Sequence, residues 1–255
     1  MEEAELTPKP ALVDRRGSGA HADLSLTLMR RSADCLVPWF ERIALAAFQQ
    51  TPTRTLREEL GVLGRRAEQS MSWSTGGVNT HRGAIWALGL LVAAAATGPT
   101  SPAAIAERAR RLARLPDRHA PNEQSNGLEV SRRYNVSGAR GEAQAGFPSI
   151  IAAGLPRLHL SRQFCESETL ARLDALLAIM TTLEDTCLLH RGGPAALHRG
   201  QTGAASVLDA GGTATPKGWK RLQQLDRDLL ALNASPGGSA DMLAATLFLD
   251  FVSDT

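Results

Sequence analysis

Hydrophobic residues recur at helical spacing along most of this chain. One stripe, Leu56, Leu60, Leu63, Ala67 and Met71, advances by three or four residues at a time, which places its members on one helix face. Similar stripes are Met29, Leu36, Phe40, Ile43 and Ala47; Ile105, Ala109 and Leu112; Leu173, Leu177, Met180 and Leu188; and Leu222, Leu225, Leu229 and Leu232. The alternation typical of strands is absent. The pattern predicts an all-α fold, a single compact multi-helix domain over residues 1–255.

The most apolar stretch, Gly83 to Ala96, carries no charge. As a helix it would be about 21 Å long, which is shorter than the ~30 Å hydrocarbon core of a membrane. We therefore predict a central helix that is buried on all sides, and no membrane span.

Turn and capping residues predict where several helices begin or bend. Ser101 and Pro102 have the character of an N-cap and a first helical position. Pro38 should kink its helix, and Ser239 should cap the last one. The segment from Pro116 to Asn135 is rich in polar residues and is expected to be a loop.

Composition narrows the classes of function. Hydrophobic content of 43% and charged content of 21% are ordinary for a globular protein. A net charge of +2 with only 4% aromatic residues argues against a nucleic-acid partner. The three cysteines lie far apart without C-x-x-C spacing, and the first residues are acidic, unlike a signal peptide. We expect a reduced, cytoplasmic protein.

Four stretches of glycine, amide, acidic and basic residues lie next to apolar helices. They are residues 76–83, 138–142, 183–193 and 235–241. Helix ends offer unpaired backbone N–H groups, and glycine lets a ligand approach the main chain closely. One such stretch would be an ordinary turn, but four of them predict polar helix-end loops that form the rim of one polyanion site.

Several charged residues fall at the ends of core-facing stripes. Glu184 continues the stripe through Leu177 and is expected to point inward with Asp185 beside it, whereas His81 and Asp241 each begin a stripe. Each has a purely structural alternative. Asp241 would complement a helix dipole, Glu184 would belong to a buried ion pair, and His81 would be a satisfied core histidine.

Further structural alternatives concern the loops. Asn79 and Thr80 would be helix caps, Arg140 and Glu142 a surface pair, and Cys187 a packing residue. Motifs for a P-loop, a dinucleotide fold, a zinc protease or a nucleophile elbow are absent from the sequence. Acidic residues with scattered Arg, Lys and His favour Mg²⁺ bridging phosphates over a zinc centre.

Taken in order, these motifs resemble the triphosphoribosyl-dephospho-coenzyme A synthase family from about Thr7 to the C-terminus. The matching segments are residues 7–16, 19–23, 77–85, 138–142, 146–149, 183–186, 190–193, 235–241 and 243–246. The opening, Lys9 to His21, is most similar to the branch that serves malonate decarboxylase. One departure is Arg82, where many relatives carry lysine; this keeps the charge but changes the donor geometry.

The resemblance implies a pentosyltransferase that uses ATP in an unusual way. The family moves the 5-triphosphoribosyl group of ATP to the ribose 2′-hydroxyl of 3′-dephospho-coenzyme A and releases adenine. Its product is the precursor of the prosthetic group of the decarboxylase acyl carrier subunit, so a downstream transferase and that subunit are the implied partners. Mg²⁺ is the implied cofactor. The assembly state, including a homodimer, is left open.

The resemblance also suggests roles for individual residues. Metal binding is assigned to Glu184, Asp185 and Asp241. Substrate or ATP binding is assigned to Lys9, Asp14, His21, Asn79, His81, Arg82, Arg140, His190 and Arg191. Catalysis is assigned to Glu142, Asp23 and Asp185, as a base or as stabilisers of a ribosyl cation. Two other functions remain open: another Mg²⁺-dependent nucleotide-ribosyl hydrolase or transferase, and a non-catalytic helical module that binds the carrier subunit.

Overall fold

A computed structural model describes residues 1–120 and 126–253 of the protein. Within these ranges it consists of helices and their connections and contains no strand, so the all-α prediction is confirmed. The helices, in chain order, are α1 (Glu2–Glu5), α2 (Leu26–Ala47), α3 (Arg54–Thr75), α4 (Arg82–Ala96), α5 (Pro102–Arg114), α6 (Asn126–Tyr134), α7 (Gly138–Ala145), a π-helix (Ser149–Gly154), α8 (Leu155–Phe164), α9 (Glu168–Thr182), α10 (Thr186–Asp209), α11 (Pro216–Ala231) and α12 (Gly237–Ser253).

The apolar helix α4 lies in the centre of the molecule, as predicted. It packs against α2, α3, α5, α7 and α12. Ala87, Leu91, Ala93 and Ala94 along it are fully buried, and their mostly small side chains suit close packing on several sides. The main apolar core extends along the chain from Leu6 to Leu249. Among the described residues, no helix has both the length and the apolar character that crossing a membrane requires.

Local capping signals explain several helix starts. Ser101 accepts a hydrogen bond from the backbone N–H of Ala104, with Pro102 at the first helical position, so this predicted start is confirmed. Ser25, Thr53 and Thr215 cap α2, α3 and α11 in the same manner. Pro38 lies inside α2, which is one helix from Leu26 to Ala47.

The break between α9 and α10 corrects one prediction. The stripe from Leu173 to Leu188 is divided between two helices, because Leu183 and Asp185 have extended backbones. Glu184 lies in this connection and is exposed, so the inference that it points into the core is wrong. The helical spacing continues across the break although the residues belong to two helices. Both helices pack on the same core, so each contributes apolar residues to it.

Two further predictions need correction. Helix α12 begins at Gly237, so Ser239 lies within its first turn and donates its hydroxyl to Asp185 instead of serving as the N-cap. The segment from Pro116 to Asn135, predicted to be a loop, contains the short amphipathic helix α6. Residues 121–125 of that segment lie outside the described residues.

Helix α10 bends sharply at Gly193, which separates its two halves. Gly193 has φ 65° and ψ −163°, and Pro194 follows it. Glycine adopts positive φ without a Cβ clash, and proline has no N–H with which to continue the ladder. The bend places the last turn of the first half, which includes Arg191, next to the N-terminal segment of the chain.

Candidate functional site

The N-termini of α4, α7, α10 and α12 meet at one end of the molecule. The carboxylate of Asp185, at the start of α10, accepts hydrogen bonds from the first turn of α12. Asp241 of α12 lies against the first turn of α4. Glu184 accepts a bond of 3.3 Å from the N–H of Ser137, which precedes α7. We call these four helix starts, residues 79–84, 137–140, 184–191 and 235–241, the rim.

The convergence of the four polar stretches agrees with the sequence prediction. A helix N-terminus carries partial positive charge and unpaired N–H groups, and therefore attracts anions. The four ends are neighbours here, and the carboxylates of Asp185 and Glu184 accept hydrogen bonds from some of their N–H groups. The sequence could indicate the four segments, but only the packing shows that they are neighbours.

Asp185 joins two of these helices and is 1% exposed. Its Oδ1 accepts hydrogen bonds from the N–H groups of Cys187, Leu188 and Gly238, at 2.8, 3.3 and 3.2 Å. Its Oδ2 accepts from both the N–H and the hydroxyl of Ser239, each at 2.8 Å. Burial raises the pKa of Asp185 more than these donors lower it. Both oxygens are thus engaged, and Asp185 caps α10 and α12 together.

Asp241 lies where α12 approaches α4 most closely. The nearby N–H of Ala84 lowers the pKa of its carboxylate. A Cβ on Gly83 would lie 2.0 Å from its Oδ2, so only glycine at this position permits the approach. Burial raises the pKa of Asp241 well above its usual value, and the negative charges of Glu3 and Asp185 raise it further. The charged form of Asp241 is therefore disfavoured in the protein alone.

The three carboxylates assigned to metal binding do not form a preassembled cluster. No group of three His, Cys, Asp or Glu residues in the described parts of the chain has metal-holding geometry. Glu184 is exposed, Asp185 has both oxygens in hydrogen bonds, and Asp241 faces α4. The assignment of these three residues to metal binding therefore stays a prediction.

His81 is buried beneath the start of α4. Its Nδ1 is 2.7 Å from the hydroxyl of Ser32, which also lies 2.6 Å from the hydroxyl of Thr80. Burial lowers the pKa of His81 to about 4, so the imidazole is neutral at neutral pH. The structural alternative for this residue, a satisfied buried histidine, describes its contacts well. Asn79 is the cap that the sequence allowed, because its Oδ1 accepts from the Arg82 N–H at 3.3 Å.

A second neutral histidine fixes Arg191 at the edge of the rim. Arg191 donates to the carbonyl of Ala20 and to Nδ1 of His21, both at 2.8 Å. A guanidinium has no acceptor, so Nδ1 must accept, and the proton resides on Nε2, which lies 2.7 Å from the hydroxyl of Ser235. Burial and the charge of Arg191 lower the pKa of His21 to about 4. His21 thus links the N-terminal segment, α10 and the start of α12.

The other predicted cations differ in how far they are already paired. Arg82 is exposed and forms an ion pair with Glu68 at 3.0 Å. Arg140, at the start of α7, is exposed and has no ion-pair partner among the described residues. The pairing of Arg140 with Glu142 is wrong, because Glu142 is directed elsewhere. His190 is exposed beside Arg191.

Two predicted substrate contacts have structural partners instead. The Lys9 ammonium is 1% exposed and binds Glu3 Oε1 at 2.7 Å and its carbonyl at 2.9 Å. Asp14 accepts from the Lys9 N–H at 2.8 Å and from the Arg16 N–H at 2.7 Å. Lys9 and Asp14 therefore organise the N-terminal segment. Their sequence pattern was informative, but a buried ion pair and a loop cap produce the same pattern.

The proposed catalytic acids occupy different environments. Asp23 is exposed, and its carboxylate is 4.0 Å from Nδ1 of His21. Glu142 is buried, and its Oε1 accepts from both the N–H and the hydroxyl of Ser149, at the start of the π-helix. Oε2 of Glu142 takes no part in these bonds.

Several residues near the rim were not found by sequence analysis. Glu3 is buried and raises the pKa of Asp241 by its charge. The sequence predicts a cap at Ser239, and it carries no motif at Arg57, which is buried next to Trp86. The one sequence signal for Arg57 is a cation at a position between buried Leu56 and Glu58 on α3, which is weak by itself.

Comparison with known proteins gives a consistent result. The family model described as ATP:dephospho-CoA triphosphoribosyl transferase matches residues 1–255. A probable 2-(5''-triphosphoribosyl)-3'-dephosphocoenzyme-A synthase of Pseudomonas fluorescens (strain Pf0-1) is 58% identical over 253 residues, covering 98% of this chain and 87% of that protein. The protein of Klebsiella pneumoniae that carries this name without "probable" is 56% identical over 255 residues, covering 99% and 91%.

A third relative, from Azotobacter vinelandii, carries the same "probable" name and is 58% identical over 254 residues, covering 98% of this chain and 87% of its own. No solved structure gives a significant match.

Proposed function

The chain belongs to the ATP:dephospho-CoA triphosphoribosyl transferase family, and we propose that it transfers the 5-triphosphoribosyl group of ATP to the ribose 2′-hydroxyl of 3′-dephospho-coenzyme A, with release of adenine. The observation that carries the proposal is the rim, where four helix N-termini converge with Arg82, Arg140 and Arg191 around them. Such a site suits a ligand with several phosphates.

The reaction is glycosyl transfer at the anomeric carbon of the ATP ribose. The bond from this carbon to adenine breaks, and a bond to the acceptor 2′-oxygen forms. The hydroxyl proton passes to a base, and adenine leaves with the bonding electrons and takes up a proton. The triphosphate remains attached throughout, so the protein uses it as a handle for positioning the ribose.

A direct displacement requires the acceptor to approach the face opposite adenine. We propose this single step, which converts the β-linkage of ATP to an α-linkage in the product. Asp23 is the proposed base, because its carboxylate is exposed beside His21 at the edge of the rim. Glu142 is the second candidate through its Oε2, which takes no part in the hydrogen bonds to Ser149.

Mg²⁺ is the proposed cofactor, held together with the triphosphate. Mg²⁺ commonly binds one or two carboxylates plus substrate phosphates. Asp241 suits this role, since burial and two neighbouring acids raise its pKa and a cation would relieve that repulsion. Glu184 is exposed and available, whereas the engaged oxygens of Asp185 do not suit direct coordination. When bound, the ion would neutralise charge on the phosphates.

We further propose that the product serves malonate decarboxylase. The segment from Lys9 to His21 supports this context by resemblance. The product would pass to a downstream transferase that attaches it to the acyl carrier subunit. Reconstitution with the malonate decarboxylase and citrate lyase carrier subunits and their transferases would show which one receives the group.

The central experiment combines the protein with ATP, Mg²⁺ and dephospho-coenzyme A and measures free adenine by chromatography. We expect adenine and a triphosphoribosylated dephospho-coenzyme A in equal amounts. Adenine accompanied by free ribose 5-triphosphate, with dephospho-coenzyme A unmodified, would favour the hydrolase alternative. Binding of a carrier subunit without any adenine release would favour the non-catalytic alternative.

A second experiment tests the single-step mechanism. The protein is incubated with ATP and Mg²⁺ but without an acceptor, and adenine and the mass of the intact protein are measured. We expect neither a burst of adenine nor an added mass. A stoichiometric burst with a triphosphoribosyl group on the protein would establish a covalent intermediate instead.

A further inference from the structure

A cluster of arginines lies beside the rim, between α3, α4 and α7. Arg57 of α3 is only 5% exposed, and its guanidinium carbon lies 5.3 Å from the centre of the Trp86 ring of α4. The indole N–H of Trp86 donates to the carbonyl of Ala139 at 3.2 Å. These contacts place Arg57 next to the first turn of α7, which also carries Arg140.

The positive charge of this cluster exceeds the negative charge that offsets it. Asp117 accepts a hydrogen bond from Arg65 at 2.8 Å, and its distance to Arg57 Nη1 is 3.6 Å. Two guanidiniums, those of Arg57 and Arg65, therefore share this one carboxylate, and the charge of Arg140 acts on Arg57 as a further repulsion. Burial lowers the pKa of Arg57, and the charges of Arg140 and Arg65 lower it further, against the effect of Asp117.

One donor of Arg57 has no partner. Its Nε is buried and makes no hydrogen bond within the described residues. An unpaired buried donor and mutual repulsion of cations both cost stability, so the arrangement is not explained by folding alone. An anion bound between the guanidiniums would reduce the repulsion, and an anion oxygen that reached Nε would satisfy the unpaired donor.

A comparison within the same chain shows that the imbalance is local. Arg157 of α8 also has a buried Nε without a partner, yet it donates to Asp174 at 2.8 Å. Asp174 therefore offsets Arg157 at hydrogen-bond distance, whereas the nearest approach of Asp117 to Arg57 is 3.6 Å. Arg157 is thus one half of a balanced pair and provides a natural control.

We propose that Arg57 and Arg140, with Trp86 holding Arg57 in place, form a phosphate subsite that takes a phosphate group of one of the two nucleotide substrates. The forked donors of arginine match phosphate oxygens, and Arg57 is immobilised by packing while Arg140 is exposed at the entrance. The identity of the nucleotide rests on the proposed function. The anion chemistry rests on the cluster itself.

The test measures binding of three ligands separately by calorimetry, so that no turnover occurs: ATP with Mg²⁺, dephospho-coenzyme A, and inorganic pyrophosphate. In Arg57→Met we expect the affinity for pyrophosphate and for one nucleotide to fall by about tenfold to a hundredfold, the usual value of a charge-assisted hydrogen bond. A loss with ATP assigns the subsite to the triphosphate. A loss with dephospho-coenzyme A assigns it to the diphosphate of the acceptor.

The matched control is Arg157→Met, which removes a buried arginine of the same kind outside the cluster. It should lower the melting temperature and leave all three affinities unchanged. Because replacing Arg57 can disturb the fold, Arg140→Gln is the second variant, at an exposed position. Its melting temperature without ligand should equal that of the wild type, and the rise produced by pyrophosphate should be smaller.

The proposal is overturned if both cluster variants bind all three ligands within about twofold of the wild type. This outcome is distinct from a failure of the proposed function. A protein that binds pyrophosphate through Arg57 but releases no adenine would retain the subsite and lose the assigned reaction.

Discussion

Two charged regions of this protein are built on opposite principles. The first is the rim, and the second is a group that we call the α8–α9 network, comprising Arg157, Arg162, Glu168, Asp174 and Asp250. In the network, Arg162 donates to Asp250 and to Glu168 at 2.7 Å each. Although burial raises it, the hydrogen bonds from Arg162 and His159 hold the pKa of Asp250 below its usual value.

In the rim the carboxyl pKa values shift in the opposite direction. The pKa of both Asp185 and Asp241 is raised there, chiefly by burial, and Arg140 has no ion-pair partner among the described residues. Charges that satisfy one another stabilise a fold, whereas charges left in conflict cost stability and are expected where a ligand completes the balance. The comparison therefore separates structural charge from charge arranged for a substrate.

The strongest challenge to this comparison is Asp185, which belongs to the rim but has structural contacts. We expect Asp185→Ala to lower the free energy of unfolding by about 2–4 kcal/mol, because two helix starts lose their cap and buried N–H groups lose their acceptor. Chemical denaturation would measure this. A variant as stable as the wild type would show that the hydrogen bonds of Asp185 do not stabilise the starts of α10 and α12.

The next largest effect is expected in the network. Arg162→Met should lower the free energy of unfolding by about 1–2 kcal/mol, since Asp250 and Glu168 lose their shared partner. Its affinity for ATP should be unchanged in calorimetry. A weakened affinity with normal stability would end the distinction between the two regions.

Gly83→Ala is expected to have a smaller effect, and to weaken ligand affinity instead of stability. The new Cβ would meet Asp241 Oδ2 at 2.0 Å and turn the carboxylate away from α4. Affinity for ATP with Mg²⁺ should fall about fivefold to tenfold, or roughly 1 kcal/mol, with little loss of stability because alanine favours helix. Gly89→Ala on the same helix is the control, since its Cβ would make only an ordinary contact.

The smallest predicted effect concerns His81 and pH. Its pKa is about 4 in the folded protein and 6.5 in a free side chain. The unfolded chain therefore binds the proton first as the pH falls, so the contribution of His81 is fully present above pH 6.5 and is lost progressively down to about pH 4. At pH 6 the loss is on the order of 1 kcal/mol.

Denaturation of the wild type and of His81→Gln between pH 7.5 and 5 measures this effect. Stability of the wild type should fall more steeply than that of the variant. His198→Gln, which removes an exposed histidine, should follow the wild type. Parallel curves for all three proteins would contradict the assignment of a neutral buried His81.

The sequence predicted the helical elements well and the contacts of the site poorly. The stripe through Leu60 and the uncharged run after Gly83 gave α3 and α4 directly, because burial requires apolar residues at helical spacing. Glu184 and Ser239 were misplaced, because capping by Asp185 depends on a second helix that is 53 residues away in sequence. Lys9 was assigned to phosphate, since a buried partner such as Glu3 leaves no local signal.

The sequence alone determined the all-α class, the buried central helix and the four polar segments that contact substrate in the proposed function. These properties follow from local rules of burial, capping and backbone freedom. Only the tertiary structure decided that the four helix starts are neighbours, that Asp185 is fully engaged, and that Arg57 lies beside Arg140 with too little negative charge around it. The reason is physical: the field and the hydrogen bonds at a site are sums over groups distant in sequence, and packing alone fixes their separations.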